Sequence, residues 1–247
     1  MAYNGFGARR AHATAVFGDK IWVIGGINTD VDPWVEYDDV WSSTDGENWI
    51  RELEHAPFGH MFYPTLTVFN NKLFLIGRAR SSTVSLWPMQ VWSSTDGTTW
   101  TLEVSNPFPE REGHKTLVFQ NQLFVIGGTA AGIDYADIWT SQDGNSWSQL
   151  TLTGDLFEGR HHHGAIVYDN KIWVMGGAQI LGTGGYSDHF YSSNGTEWYE
   201  YTDLGTDPDI LTNFGVLNYN DAIWVFGGYK IGDSGPTGEI VSLRIRE

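Results

Sequence analysis

A glycine that closes an apolar run recurs at positions 25, 77, 127, 176 and 227, at intervals of 52, 50, 49 and 51 residues. A period of this size means that one supersecondary unit is written five times, and such units bury their apolar faces only by stacking on one another. Before each glycine lies a strand-like run: Ile21–Ile24, Leu73–Ile76, Leu123–Ile126, Ile172–Met175 and Ile223–Phe226. Upstream of each is a partner run: Thr14–Phe17, Leu66–Phe69, Thr116–Phe119, Ala165–Tyr168 and Val216–Tyr219. Polar pairs such as Gly18–Asp19 and Asn70–Asn71 separate the two, which is the chemistry of tight hairpins. Downstream come WSSTDGENW (41–49), WSSTDGTTW (92–100), WTSQDGNSW (139–147) and FYSSNGTEW (190–198). Each sets Asp-Gly or Asn-Gly between aromatic-flanked strands, a second hairpin signal.

Helical periodicity is absent, so the reading is all-β: four antiparallel strands per unit, stacked as the blades of a five-bladed β-propeller. One domain over 1–247 is expected, with repeats at about 9–58, 59–108, 109–157, 158–208 and 209–247. A Trp opens the fourth strand of four copies (Trp49, Trp100, Trp147, Trp198) and is expected to pack between neighbouring sheets. The Gly–Gly after strand two, the aromatic before the third-strand turn and the late Trp together resemble kelch repeats. The Ser-x-Asp-Gly-x-x-Trp turns resemble the Asp-box hairpins of sialidase-type propellers. Two departures stand out. Arg78 replaces the second Gly in copy two, and the fifth copy reaches Glu247 after its third strand, so the fifth blade is expected to be incomplete. An open blade edge is a site for self-association.

The net charge is −16, from 14 Lys+Arg against 30 Asp+Glu, which disfavours nucleic acid and anionic membrane surfaces as partners. With no Cys there are no disulfides, thiolate metal sites or Cys nucleophiles. No apolar run reaches membrane-spanning length and residues 1–8 are unlike a signal peptide, which leaves secretion after leader removal and the cytoplasm both open. No cofactor is expected.

In an up-and-down blade, the entry to strand one shares a face with the loop between strands two and three. That face carries long, dissimilar loops (27–38, 79–90, 129–136, 178–187, 229–238), and variable loops on a rigid frame are where binding concentrates. It also gathers six of the nine Arg: Arg9, Arg10, Arg78, Arg80, Arg111 and Arg160. Arg9, Arg111 and Arg160 share one repeat position, three residues before His12, His114 and His163. Two readings of this column have comparable weight: an anion-focusing pocket, or bridges between blades. For the His column alone the structural role is favoured. The run His161–His163 is not read as a metal site, because successive strand residues face opposite ways. Trp34 and Trp87 lie outside the repeat positions, in loops of this face, and Tyr186 joins them. Loop aromatics of this kind suit stacking on sugars or anchoring a peptide. Asp45, Asp96 and Asp143 sit in turns of the opposite face and are read as structural.

The leading expectation is a binding module with a cationic, aromatic-lined pocket for a glycan or an acidic protein segment. Its residues are Arg9, His12, Arg78, Arg80, Arg111, His114, Arg160, His163, Trp34, Trp87 and Tyr186. One alternative is an enzyme on acidic sugars, since the resembled propellers include sialic-acid epimerases and sialidases; Glu112 and Glu158 are its candidates by location only. A copper-radical site of the galactose-oxidase kind is excluded because its thioether needs a Cys. Another alternative is a structural, oligomerising repeat protein.

Overall fold

The strands fall where the hairpin chemistry puts them. The computed structural model describes residues 5–80, 87–180, 184–202, 211–230, 237–238 and 240–243, and among these there is no helix. Blade one is the sheet Ala13–Phe17, Lys20–Asn28, Val35–Ser43 and Ile50–Leu53, in chain order. Blade two is Met61–Phe69, Lys72–Ala79, Met89–Ser94 and Thr101–Ser105. Blade three is Lys115–Phe119, Gln122–Ile126, Ile138–Ser141 and Ser148–Gln149. Blade four is Gly164–Tyr168, Lys171–Met175, His189–Ser192 and Glu197–Glu200, with Thr153–Gly154 added in parallel on its outer edge. Blade five has three described strands, Gly215–Asn218, Ile223–Phe226 and Ile240–Leu243. The all-β, five-bladed expectation is met, and among the described residues the fifth blade has three strands.

Two units can be distinguished: Met1–Glu112 with Ser141–Trp147, and Gly113–Thr140 with Ser148–Glu247. The first is built around Trp22, Ile24, Val40, Phe58, Leu73, Leu75 and Trp100. Among the described residues, the second packs one cluster around Phe124, Ile126, Phe157, Ile172, Phe190 and Trp198, and another around Trp173, Met175, Phe214, Ile223 and Val225. Second-strand residues alternate least because both faces of these middle strands are covered: Leu73–Ile76 and Leu123–Ile126 are buried throughout.

Each third-strand hairpin is tied by its own side chains. Ser43, Ser94 and Ser141 Oγ accept the N–H of Gly46, Gly97 and Gly144 at 2.9, 2.8 and 2.8 Å. Asp45 Oδ1 accepts from the backbone of Glu47 and Asn48 at 2.9 and 2.7 Å, and Asp96 and Asp143 repeat this. In blade four Asn194 Oδ1 takes the same place. The Trp folds back on its own turn, its indole N–H donating to the glycine carbonyl at 3.0–3.3 Å (Trp49, Trp100, Trp147, Trp198). A Phe from just ahead of each copy's strand one meets that copy's Trp edge-on: Phe6–Trp49, Phe58–Trp100, Phe108–Trp147 and Phe157–Trp198, with centroids 4.9–5.3 Å apart. The Trp of each copy therefore pins the start of the copy to its end.

The glycine in these turns is required twice over. Its φ is positive (76°, 80° and 82° at Gly97, Gly144 and Gly195), and it lies flat on a second-strand aromatic of the preceding blade. A Cβ at Gly97 would stand 2.2 Å from Trp22, at Gly144 2.2 Å from Phe74, and at Gly195 2.8 Å from Phe124. Gly132 has φ +83° but open space around it. Gly144→Ala is therefore expected to cost ~2–4 kcal/mol against ~1 kcal/mol for Gly132→Ala. Urea unfolding of the two variants measures the difference, which isolates the contact from the backbone strain.

Hydrogen bonds to the ionised form hold the turn carboxylates low: Asp45 mainly through the Asn48 side chain, Asp96 through the Thr99 N–H and Asp143 through the Ser146 N–H. A depressed folded value means stabilisation that is full above the ordinary 3.8 and is lost as pH falls through the folded value. An Asp45→Asn/Asp96→Asn/Asp143→Asn variant, which copies the Asn194 turn, should lose less stability than the parent between pH 5 and pH 2. Thermal unfolding across that range checks it.

Candidate functional site

The arginine column is assembled first by strand geometry. In blade one Arg9 enters ahead of strand one and its Nη1 and Nη2 reach Asp39 at 2.5 and 3.0 Å. Nη1 also donates to the Gly25 carbonyl (2.9 Å) and Nε to that of Gly7 (3.1 Å). The Tyr37 ring lies 4.0 Å from the guanidinium carbon. Blade four repeats the arrangement with Arg160: Asp188 at 2.5 and 2.9 Å, the Gly176 carbonyl at 3.0 Å, that of Glu158 at 3.1 Å, and the Tyr186 ring at 4.3 Å. The Arg9 and Arg160 side chains are 1% and 0% exposed. Arg111 is equally buried, donating from Nε to the Pro109 carbonyl at 3.1 Å beside the Phe108 ring.

The acidic partners went unseen in the sequence, although a signal was there. Tyr37-Asp38-Asp39-Val40-Trp41 and Tyr186-Ser187-Asp188-His189-Phe190 share a Tyr-x-Asp-x-aromatic pattern in or leading into strand three, as do Tyr135, Asp137 and Trp139. The Asp also accepts from the indole two residues on, Trp41 at 2.7 Å and Trp139 at 2.8 Å. Copy two replaces both members: Met61 stands at the arginine position, and Gln90 accepts from Trp92 at 2.9 Å in place of the Asp.

The histidine column packs against the Gly–Gly pairs. A Cβ at Gly26 would lie 3.0 Å from His12 Cβ, and one at Gly177 2.7 Å from His163 Cβ. His163 is fully buried and His114 nearly so. Burial first, and the charge of Arg9 second, push His12 below its ordinary value. Copy two again departs as a set: Pro64 replaces the histidine, Arg78 replaces the glycine, and strand one bulges between Phe62 and Thr65. Among the described residues no group of three or more His, Asp or Glu is placed to hold a metal ion.

Between copy one and this irregular strand lies a cleft on the variable-loop side of the first unit, with a volume of about 120 Å³. Arg10, Trp34, Glu36, His60, Phe62 and Tyr63 line it. Trp34 is 66% exposed. Trp87 lies against Phe62, their centroids 4.4 Å apart, and the Arg78 guanidinium sits 5.1 Å from the Trp87 ring. Arg78 pairs with Glu112 at 3.1 Å, and Arg80 pairs with Glu36. Arg10 is exposed and its side chain has no ion pair among the described residues. Arg78, Arg80, Trp34 and Trp87 are thus gathered in one unit near the cleft, while Arg160, His163 and Tyr186 are gathered in the other. The expected loops at 79–90, 178–187 and 229–238 fall partly outside the described residues.

The arginine–aspartate pair has a direct test. Asp188→Gln leaves a buried guanidinium without its carboxylate and should cost ~3–5 kcal/mol. Arg160→Met/Asp188→Gln copies the Met61/Gln90 combination and should cost markedly less than the single change. Chemical denaturation of the two variants distinguishes these outcomes.

Similarity to known proteins follows the repeat. Leucine-zipper-like transcriptional regulator 1 homolog of Drosophila melanogaster is 26% identical over 205 residues, 77% of this chain and 20% of its own length. Human Kelch-like protein 15 is 27% identical over 157 residues, 54% of this chain and 25% of its own. The tRNA wybutosine-synthesizing protein 2/3/4 of Oryza sativa subsp. japonica is 36% identical over 78 residues, 31% of this chain and 8% of its own. The chain thus corresponds to a quarter or less of the length of these relatives. The solved structure of YjhT superposes with a TM-score of 0.79 over 98% of this chain and 83% of that one, at 16% identity, a likeness of fold alone. The match that spans the repeats is to the DUF6242 beta propeller domain, over residues 6–245, and the chain belongs to that family.

Proposed function

We propose that the chain is a protein-interaction module, and that the cleft beside Trp34 receives a partner segment combining an acidic residue with an aromatic or aliphatic one. The observation that carries this is Trp34 itself, a large apolar side chain 66% exposed at the rim of a cleft. Exposed aromatics over a formed concavity are the usual anchors of binding hot spots. Arg10 supplies at the same cleft a cation with no ion pair among the described residues, and His60 adds a polar ring. The kelch-like relatives support the interaction reading, because in each the matched region is one part of a much longer chain. Asp-box-like turns and the buried Arg9, Arg111 and Arg160 column serve, in this reading, to hold the loop face still. Arg78, Arg80 and Trp87 border the binding surface, and His12, His114, His163 and Tyr186 belong to the frame.

The test is a display of peptides pairing acidic with aromatic residues, screened against the intact chain. Trp34→Ala is expected to weaken retained peptides at least tenfold, the size of a hot-spot loss of about 2 kcal/mol. Arg10→Ala should weaken only the acidic subset, and both variants should keep the parent's melting temperature. Peptides held equally by the parent and by Trp34→Ala would overturn the assignment. So would retention confined to sialylated or uronic-acid glycans, which would make the surface a sugar site.

A further inference from the structure

Blade five carries an apolar sheet face of a kind that the earlier blades keep dry. Its register sets Gly215, Phe226 and Ile240 in one row, and Leu217, Trp224 and Ser242 in another two residues along. Residues two apart on a strand share a face, so Leu217, Trp224, Phe226 and Ile240 stand together, with Tyr219 at the hairpin end. The opposite face supplies Val216, Ile223 and Val225, which pack with Trp173 and Met175 of blade four. On the outer face Leu217 is 42% exposed, Tyr219 62% and Ile240 63%.

Trp224 stands at a repeat position that is covered in the other copies. Its counterparts Trp22, Phe74, Phe124 and Trp173 are all buried, and a turn glycine of the following copy lies on each of the first three. Trp224 is only half-buried, and among the described residues no glycine lies against it. The complementary half of such a seam is open on blade one. Ala13, Trp22 and Ile24 pack towards Leu73 and Leu75 of blade two, so Val16 and Ile21, paired one row away, face the other side. Val16 is 70% exposed and Ile21 half-buried, whereas Leu73, Leu123, Ile172 and Ile223, which match Ile21 in the other copies, are fully buried. A Cβ on Gly46 would meet, among the described residues, only Ile21 Cδ1 of its own blade, at 3.7 Å. One chain thus holds a glycine turn without an aromatic beneath it and an aromatic without a glycine turn above it.

We propose that the outer face of blade five docks a second copy of this chain, whose blade one closes over it with the Gly46 turn on Trp224. The contact continues between molecules the seam that Gly97, Gly144 and Gly195 make within one. It is heterologous, one surface on a different one, so copies add head to tail. A repeat that ends an array presents a polar outer face, and Leu217, Tyr219 and Ile240 do not provide one. The surface is separate from the cleft beside Trp34 and does not depend on that assignment.

Sedimentation velocity of the intact chain, from low to several hundred micromolar, should show mass rising with concentration. Val16→Glu and Tyr219→Glu each put a charge on one of the two faces. Each should weaken self-association at least tenfold and keep the parent's melting temperature. Mixed, the two should form a one-to-one dimer, because Val16→Glu retains blade five and Tyr219→Glu retains blade one. Ile240→Glu should replace Tyr219→Glu in that mixture with the same result. A parent that stays monomeric throughout the range would overturn the proposal, as would a mixture that does not dimerise. So would Val16→Glu associating as the parent does, which would make the contact blade five on blade five.

Discussion

Much of the frame rests on one interaction, the guanidinium of Arg9 or Arg160 gripping a third-strand aspartate. It joins the entry of strand one to strand three across the second-strand glycine, whose carbonyl it also binds. The pair is buried, so each member would be costly alone, and the aromatic over the guanidinium adds a face that water cannot reach. The charge that looks available for a ligand in the sequence is therefore largely consumed in holding the blade's loop-side end together. Tyr186, which stands out as a loop aromatic, is the plate that covers Arg160.

Blade two shows what happens when the device is absent. Met61 and Gln90 replace the pair, Pro64 and Arg78 replace the His and Gly, and the first strand bulges through Tyr63, held at φ 43°. Each replacement makes sense only with the others: a Pro in place of the His suits the bulged strand, and an Arg in place of the Gly suits an unbroken second strand. Arg78 is then released from the frame and turns to Trp87 and Glu112. The irregular copy contributes His60, Met61, Phe62 and Tyr63 to the cleft, and copy one supplies the rest of its lining.

The fold was legible because it is periodic. Five glycines at near-equal spacing, Asp-Gly turns and late tryptophans are local signals, and local signals survive in a string of letters. The partners of the arginines were less legible. Asp39 and Asp188 lie 30 and 28 residues away, and only the repeated Tyr-x-Asp-x-aromatic pattern hinted at them. Phe62 and Tyr63 were invisible as cleft residues because they occupy positions filled elsewhere by Arg10, Ala11, His161 and His162. The backbone there is left-handed at Ala11, Tyr63, Gly113, His162 and Asn213, yet only one of the five is glycine, so residue type did not reveal it.

Three of the turn glycines lean the same way, a later hairpin on an earlier blade: Gly97 on Trp22, Gly144 on Phe74 and Gly195 on Phe124. Seams of this kind make stability a sum of neighbour terms rather than a property of the whole. They also make the assembly polar along the chain. A nascent blade emerging from the ribosome would find its docking surface already built by the blade before it, so the order of synthesis and the order of assembly run the same way.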